Sequence, residues 1–254
     1  MNHNLKIVWL YPDLMSTYGD RGNVICLQKR CQWRGIKAEV IPISLELNDQ
    51  KFGLADLIFM GGAQDRQQSI AGEDFINKKG PILKKLIEKG APGLFVCAAY
   101  QALGKYYKPY IGDPIPGLGI FDLYTKHPGD QAKRLIGNVS AEIISTNLTN
   151  FSGIQHSIVG FENHGGRTYL GKGVKPFARV KHGFGNNGQD GFEGAVYKNC
   201  IGSYFHGPIL PKNPYLADYL IKQAIDIKYG LDISLEPLDD VLEQKAYQAV
   251  IRRF

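Results

Sequence analysis

The chain has no apolar run near the roughly 20 residues needed to cross a bilayer. It also lacks a CxxC pair, a block of like charge and a low-complexity stretch. Each absence removes a class of reading. The N-terminus, Met1-Asn-His-Asn-Leu-Lys-Ile-Val-Trp-Leu-Tyr-Pro12, enters a strand pattern at once, without the apolar core and small-residue cleavage site of a secretory signal. Only four cysteines occur, Cys26, Cys31, Cys97 and Cys200, too scattered for a zinc site or a dense disulfide framework. A reducing, cytoplasmic setting is expected. The net charge of +6 is spread along the chain rather than gathered in one arm, which argues against nucleic-acid binding and fits an ordinary solvated exterior.

What is present is enough to bury a sizeable core: 254 residues, 44% hydrophobic. Apolar, β-branched runs at Leu5 to Leu10, Ala38 to Ile43, Leu54 to Met60 and just ahead of Cys97 read as strands. Asn23 to Trp33 and Asp74 to Glu88, the latter interrupted near Gly80-Pro81, read as helices between them. Such alternation predicts an α/β fold with a mostly parallel central sheet covered by helices on both faces. From Pro114 to Phe205 the texture changes to short runs (Ile120 to Tyr124, Val139 to Ile144, Ile154 to Phe161, Ala195 to Tyr197, Cys200 to Phe205), an expected antiparallel strand extension. Helices over Tyr215 to Lys228, stopped at Gly230, and Leu238 to Arg252 close the chain. Residues 1–235 are read as one domain and 236–254 as a C-terminal helix packed on it or on a partner.

The stretch Ala91 to Tyr106 reads as strand, sharp turn, helix, with Cys97 at the pivot. A helix N-terminus beside a thiol favours thiolate, whereas a buried, inert cysteine is the commoner fate of a lone Cys in an apolar run. A nucleophilic cysteine needs a base, oxyanion donors and a group to orient the base. His206, in Gly202-Ser-Tyr-Phe-His-Gly207, ends a strand pattern and is a candidate base; alone it reads as a structural histidine. Gly61-Gly62, after the third strand, offers backbone N–H groups that can approach a ligand, and reads equally as a plain turn. The N–H of Ala98 is the other oxyanion candidate.

Together these motifs resemble the class I, triad-type glutamine amidotransferases, in the branch of the cobyric acid synthase type glutaminases. The matching residues are Gly61-Gly62, Cys97 followed by Tyr100-Gln101-x-Leu103-Gly104, Gly160-Phe-Glu-Asn-His-Gly-Gly-Arg-Thr168, and Gly202-Ser-Tyr-Phe-His-Gly207. Tyr18-Gly-Asp-Arg-Gly-Asn23 and His206-Gly-Pro-Ile-Leu-Pro-Lys-Asn-Pro214 resemble the glutaminase subunits of lipid II isoglutaminyl synthases. The resemblance implies that Cys97 attacks L-glutamine, that Gly62 and Ala98 hold the oxyanion, and that His206 is the acid and base. It further implies Gln101, Arg134 and Gly61 as substrate contacts, with Arg134 taking the substrate carboxylate. Ammonia would pass to a Mur-ligase-like partner that amidates D-glutamate of the lipid II stem peptide, with no cofactor in this chain and ATP and Mg on the partner. The subunit would work in the cytoplasm, at the inner membrane face through its partner and lipid II.

Departures from the family pattern matter as much. Phe95 and Ala99 stand where the elbow motif has glycines. The usual His-x-Glu ends here as His206-Gly207-Pro208, so the acid that orients the imidazole is missing from its place. Asp20, Glu162, Asp190 and Glu193 are candidates within the chain; the resemblance favours an acid supplied by the partner, and hence feeble turnover by the chain alone. His164 has no companion at metal-ligand spacing and reads as ordering its loop. Two other readings keep the same residues: a free-standing γ-glutamyl cysteine hydrolase, and a non-catalytic subunit that stabilises a ligase.

Overall fold

The computed structural model describes residues 3–45, 49–149, 151, 156–230 and 232–254. Its centre is a six-stranded sheet built from β1 (Asn4–Leu10), β2 (Lys37–Ile43), β3 (Leu57–Met60), β4 (Gly93–Val96), β7 (Ala195–Tyr197) and β8 (Cys200–Ser203), in the order β7-β8-β4-β3-β1-β2. All neighbours are parallel except the edge pair β7/β8. Every residue of β3 and β4 is buried, as continuous apolar runs require of strands covered on both faces. The α/β expectation is met.

Between the strands run α1 (Arg21–Trp33), α2 (Asp65–Asp74), α3 (Gly80–Glu88) and α4 (Ala98–Leu103), and α5 (Pro214–Tyr229) and α6 (Val241–Ile251) finish the chain. α5 stops at Gly230, which takes the left-handed conformation at φ 66°. β5 (Leu135–Ile143) and β6 (Ser157–His164) pair antiparallel in one of two further four-stranded sheets. Ile154, expected to begin this second strand, lies outside the described residues. Among the described residues no helix is long and apolar enough to cross a membrane.

Two expectations are corrected. The polar stretch after Gly62 is already helical: α2 begins at Asp65, nine residues before the expected Asp74. It carries no apolar stripe, burying only Gln68, Ala71 and Asp74, so tertiary partners hold it, among them Tyr11, whose hydroxyl donates to Asp74 at 2.8 Å. A wide π turn at Phe75–Lys79 joins it to α3, just where the Pro81 ring would crowd the carbonyl of Asn77 in a regular helix. The second correction moves Cys200–Ser203 out of the antiparallel extension. It is a parallel strand of the central sheet, beside the strand that carries Cys97.

That placement decides where the site forms. Ser203 is in register with Val96, and Met60 with Phe95, so residues 204–206, Cys97 and Gly61-Gly62 all leave the sheet at the same carboxyl edge, where ligands of parallel sheets bind. Gly202 allows the close packing: a Cβ there would stand 2.1 Å from the ring of Tyr100.

Candidate active site

Cys97 joins β4 to α4 at φ 54°, ψ −107°, a conformation costly for any residue with a Cβ and typical of a nucleophile elbow. Its N–H donates to Ser203 O at 2.8 Å, extending the β4/β8 ladder by one step, and its carbonyl accepts the first helical bond from Gln101. The Ala98 N–H, in the first turn of α4, has no acceptor within the helix. The missing elbow glycine is compensated upstream. A Cβ on Gly93 would stand 2.6 Å from the Phe95 ring, so Gly93 makes the room that Phe95 fills.

His206 is fully buried and held from both sides. Its backbone exchanges two hydrogen bonds with Phe161 of β6, at 2.7 and 3.2 Å. Its Nδ1 lies 3.2 Å from Asp20 Oδ1, and Tyr18 stands edge-on to the ring at 5.0 Å. Of the four candidate acids within the chain, Asp20 is the one placed to orient the imidazole. The other candidate acids are engaged elsewhere. Glu162 accepts the N–H groups of Phe184 and Gly185, Glu193 accepts from Ser203 Oγ and Tyr204 N, and Asp190 accepts from Asn187 and Phe192.

The glycine pair also differs from expectation. The Gly62 N–H donates to Asp20 Oδ2 at 2.6 Å, so in this conformation it cannot also serve an oxyanion. Gly61 packs under the Asp20 loop, where a Cβ would meet Met15 O at 2.6 Å; it does not line the pocket as a substrate contact. Close approach is what Gly62 provides. A Cβ on it would stand 2.6 Å from His206 Cε1 and 3.2 Å from Cys97 Cβ, so imidazole and thiol flank the same point. Burial works against charge on the His206 ring, but the Cys97 side chain and then Asp20 outweigh it and push the ring pKa up from 6.5 to about 10. An imidazolium at His206 is the charge state these neighbours favour.

In front of Cys97 lies a cavity of about 500 Å³, lined among others by Tyr18, Gln101, Tyr107, Arg134 and His164. Arg134 is steadied by Asn163, which accepts from Nε at 3.1 Å and from Nη2 at 3.0 Å; among the described residues no carboxylate pairs with it. Gln101 is buried and donates to the Tyr204 hydroxyl. A larger cavity, about 600 Å³, opens between α1, α5 and the C-terminal segment. Of its charged residues Arg34, Asp218, Lys222 and Asp240 are already paired and Lys212 donates to the Gly207 carbonyl; neither Cys97 nor His206 lines it. Among the described residues no cluster of three or more His, Cys, Asp or Glu is placed to hold a metal ion.

Known proteins with similar sequences and folds place the chain in a family. Residues 6–214 match the CobB/CobQ-like glutamine amidotransferase domain. The chain is 41% identical over 251 residues to the subunit GatD of the lipid II isoglutaminyl synthase (glutamine-hydrolyzing) of Staphylococcus aureus, covering 99% of this chain and 96% of that protein. It is 39% identical over 243 residues to the Streptococcus pneumoniae subunit of the same name, covering 96% and 89%. A glutamine amidotransferase structure from Thermotoga maritima shares the fold at TM-score 0.52 and 15% identity, over 99% of this chain and 96% of that one. On the strength of the sequence match, with a fold that agrees, the chain belongs to the CobB/CobQ-like glutamine amidotransferase family.

Proposed function

We propose that this chain is the glutaminase subunit of a lipid II isoglutaminyl synthase, working with a Mur-ligase-like subunit. The observation that carries the reading is the convergence of His206 and Asp20 behind Cys97, which lines the pocket. The Cys97 thiolate attacks the carboxamide carbon of L-glutamine, and the oxyanion forms beside the Ala98 N–H. The His206 imidazolium gives its proton to the leaving nitrogen, ammonia departs, and a γ-glutamyl thioester remains. His206, now neutral, takes a proton from water as the hydroxide adds, and glutamate leaves as the thiolate returns. Arg134 is suited to the α-carboxylate, since a guanidinium fork binds that group at two points.

The ammonia passes to the partner, which holds ATP and Mg2+ and activates the α-carboxyl of D-glutamate in the stem peptide. Neither curated relative names this partner; the assignment rests on subfamily resemblance. With the Gly62 N–H engaged by Asp20, the resting site offers one oxyanion donor fewer than the family pattern, which supports slow hydrolysis by the chain alone.

The test is reconstitution. Chain and partner together release glutamate and amidate lipid II, whereas Cys97→Ala abolishes glutamine-dependent amidation and leaves ammonia-dependent amidation intact. Undiminished glutamine use by Cys97→Ala would establish a non-catalytic subunit. Equal turnover without the partner, with γ-glutamyl peptides cleaved as fast as glutamine, would establish a free-standing hydrolase.

A further inference from the structure

The stretch Glu162 to Thr168 contributes no reacting group, yet several of its residues hold part of the pocket. Asn163 steadies Arg134. Arg167 donates to the carbonyls of Gly165 and Lys133. His164 and Thr168 both act on Tyr204, which in turn meets Gln101.

Tyr204 is fully buried and fixed on several sides. The His164 ring stacks on it at 3.6 Å between centroids and 7° between planes, Tyr100 meets it edge-on at 5.4 Å, and its N–H is held by Glu193 at 2.7 Å. Its hydroxyl lies 2.6 Å from Thr168 Oγ1, which lies 2.7 Å from Thr125 Oγ1. Gln101 Nε2 donates to the same hydroxyl at 3.1 Å. A phenol has one hydrogen to give. Accepting from Gln101 therefore leaves the Tyr204 proton for Thr168, and the NH2 of Gln101 faces the wall. Gly166 leaves space at this point, since a Cβ there would stand 3.0 Å from Gln101 Nε2.

We propose that Tyr204, braced by His164 and Thr168, is a positioning residue that holds Gln101 with its carbonyl oxygen turned to the pocket, as an acceptor for an N–H group of the substrate. That N–H belongs either to the α-ammonium or to the carboxamide of glutamine. The inference rests on the proposed function and on Gln101 being a substrate contact, as the family resemblance implies.

The experiment measures glutamine KM and kcat on the full chain with its partner subunit, and glutamine binding by calorimetry to the full chain carrying Cys97→Ala. Tyr204→Phe raises KM about tenfold, the worth of one buried hydrogen bond, with kcat changed far less. Gln101→Ala raises KM at least as much, and adding Tyr204→Phe to it costs nothing further. Glutaramate, which lacks the α-ammonium, shows the source: if its KM is insensitive to Gln101→Ala, the acceptor reads the ammonium, and if it remains sensitive, the carboxamide. Additive losses in the double variant overturn the proposal while Gln101 remains a substrate contact. An unchanged KM in Gln101→Ala overturns that assignment and this inference together.

Discussion

Asp20 gives its two oxygens to two different tasks: Oδ1 faces the His206 ring and Oδ2 receives the Gly62 N–H. An acid in this position fixes the tautomer that leaves Nε2 for the thiol, and it stabilises the imidazolium. Asp20→Asn in the reconstituted complex is therefore expected to lower kcat by about 10²–10⁴ with glutamine KM little changed; near-normal turnover would return the orienting acid to the partner. Together with the Cys97 side chain, which raises the ring pKa most, the same contact has a pH signature. The ring pKa rises from 6.5 to about 10 on folding, so the folded state holds this proton more tightly than the unfolded one. The resulting stability is complete below pH 6.5 and is lost as pH climbs through about 10. Urea midpoints of wild type and Asp20→Asn should differ most at pH 6 and converge towards pH 10.5, provided the slope against urea stays constant.

The short segment after β8, Ser203 to His206, is carried by a carboxyl that takes no part in the chemistry. Glu193 is fully buried, and burial outweighs its hydrogen bonds to Ser203 and Tyr204, pushing its pKa up from 4.5 to about 8. A raised folded pKa means stability present below pH 4.5 and lost as pH rises through about 8. Glu193→Gln keeps an acceptor without the charge, so its stability relative to wild type should improve between pH 5 and pH 9 in chemical denaturation. A parallel fall of both proteins would show Glu193 ionised throughout. Elements of this kind were only half legible in the sequence. The strands at Leu57–Met60 and Gly93–Val96 announced themselves as unbroken apolar runs, and Gly230 ended its helix as read. Cys200 to Phe205 was legible as a strand, but no local pattern says that its neighbour lies over a hundred residues earlier and runs parallel. α2 escaped because its fixed points, Gln68 and Asp74, are polar and buried by partners rather than by periodicity. Asp20 stood in a recognised motif, yet its pairing with a ring 186 residues away is a property of the closed sheet edge.

At the scale of the molecule, the C-terminal segment is tied to the domain by charge, by the buried Tyr247 and by Phe254 stacked on His182. Arg30, on α1, has a side chain 1% exposed and pairs with Asp218 of α5 and with Asp240, just before α6. Arg34 donates to Asp218 and to the carbonyl of Glu236. Tyr247 is the buried residue of α6, which packs on β6 and on the 210–212 turn. Asp240→Ala leaves Arg30 its bidentate partner Asp218, so the expected loss is about 1–3 kcal/mol, less than for stripping a buried guanidinium of every partner. The turn beneath α6 also reaches the site: Lys212 donates to Gly207 O, the residue after His206. β6 does so again through the Phe161–His206 backbone pair. A chain ending at residue 235 loses the support of both, so its denaturation midpoint should fall by more than that of Asp240→Ala. Its kcat should drop severalfold under conditions where it remains folded, and glutamine KM should rise with it, because Asn163 of β6 also steadies Arg134. A truncated chain with the midpoint and turnover of the full one would mean that the last helix bears on neither the fold nor His206.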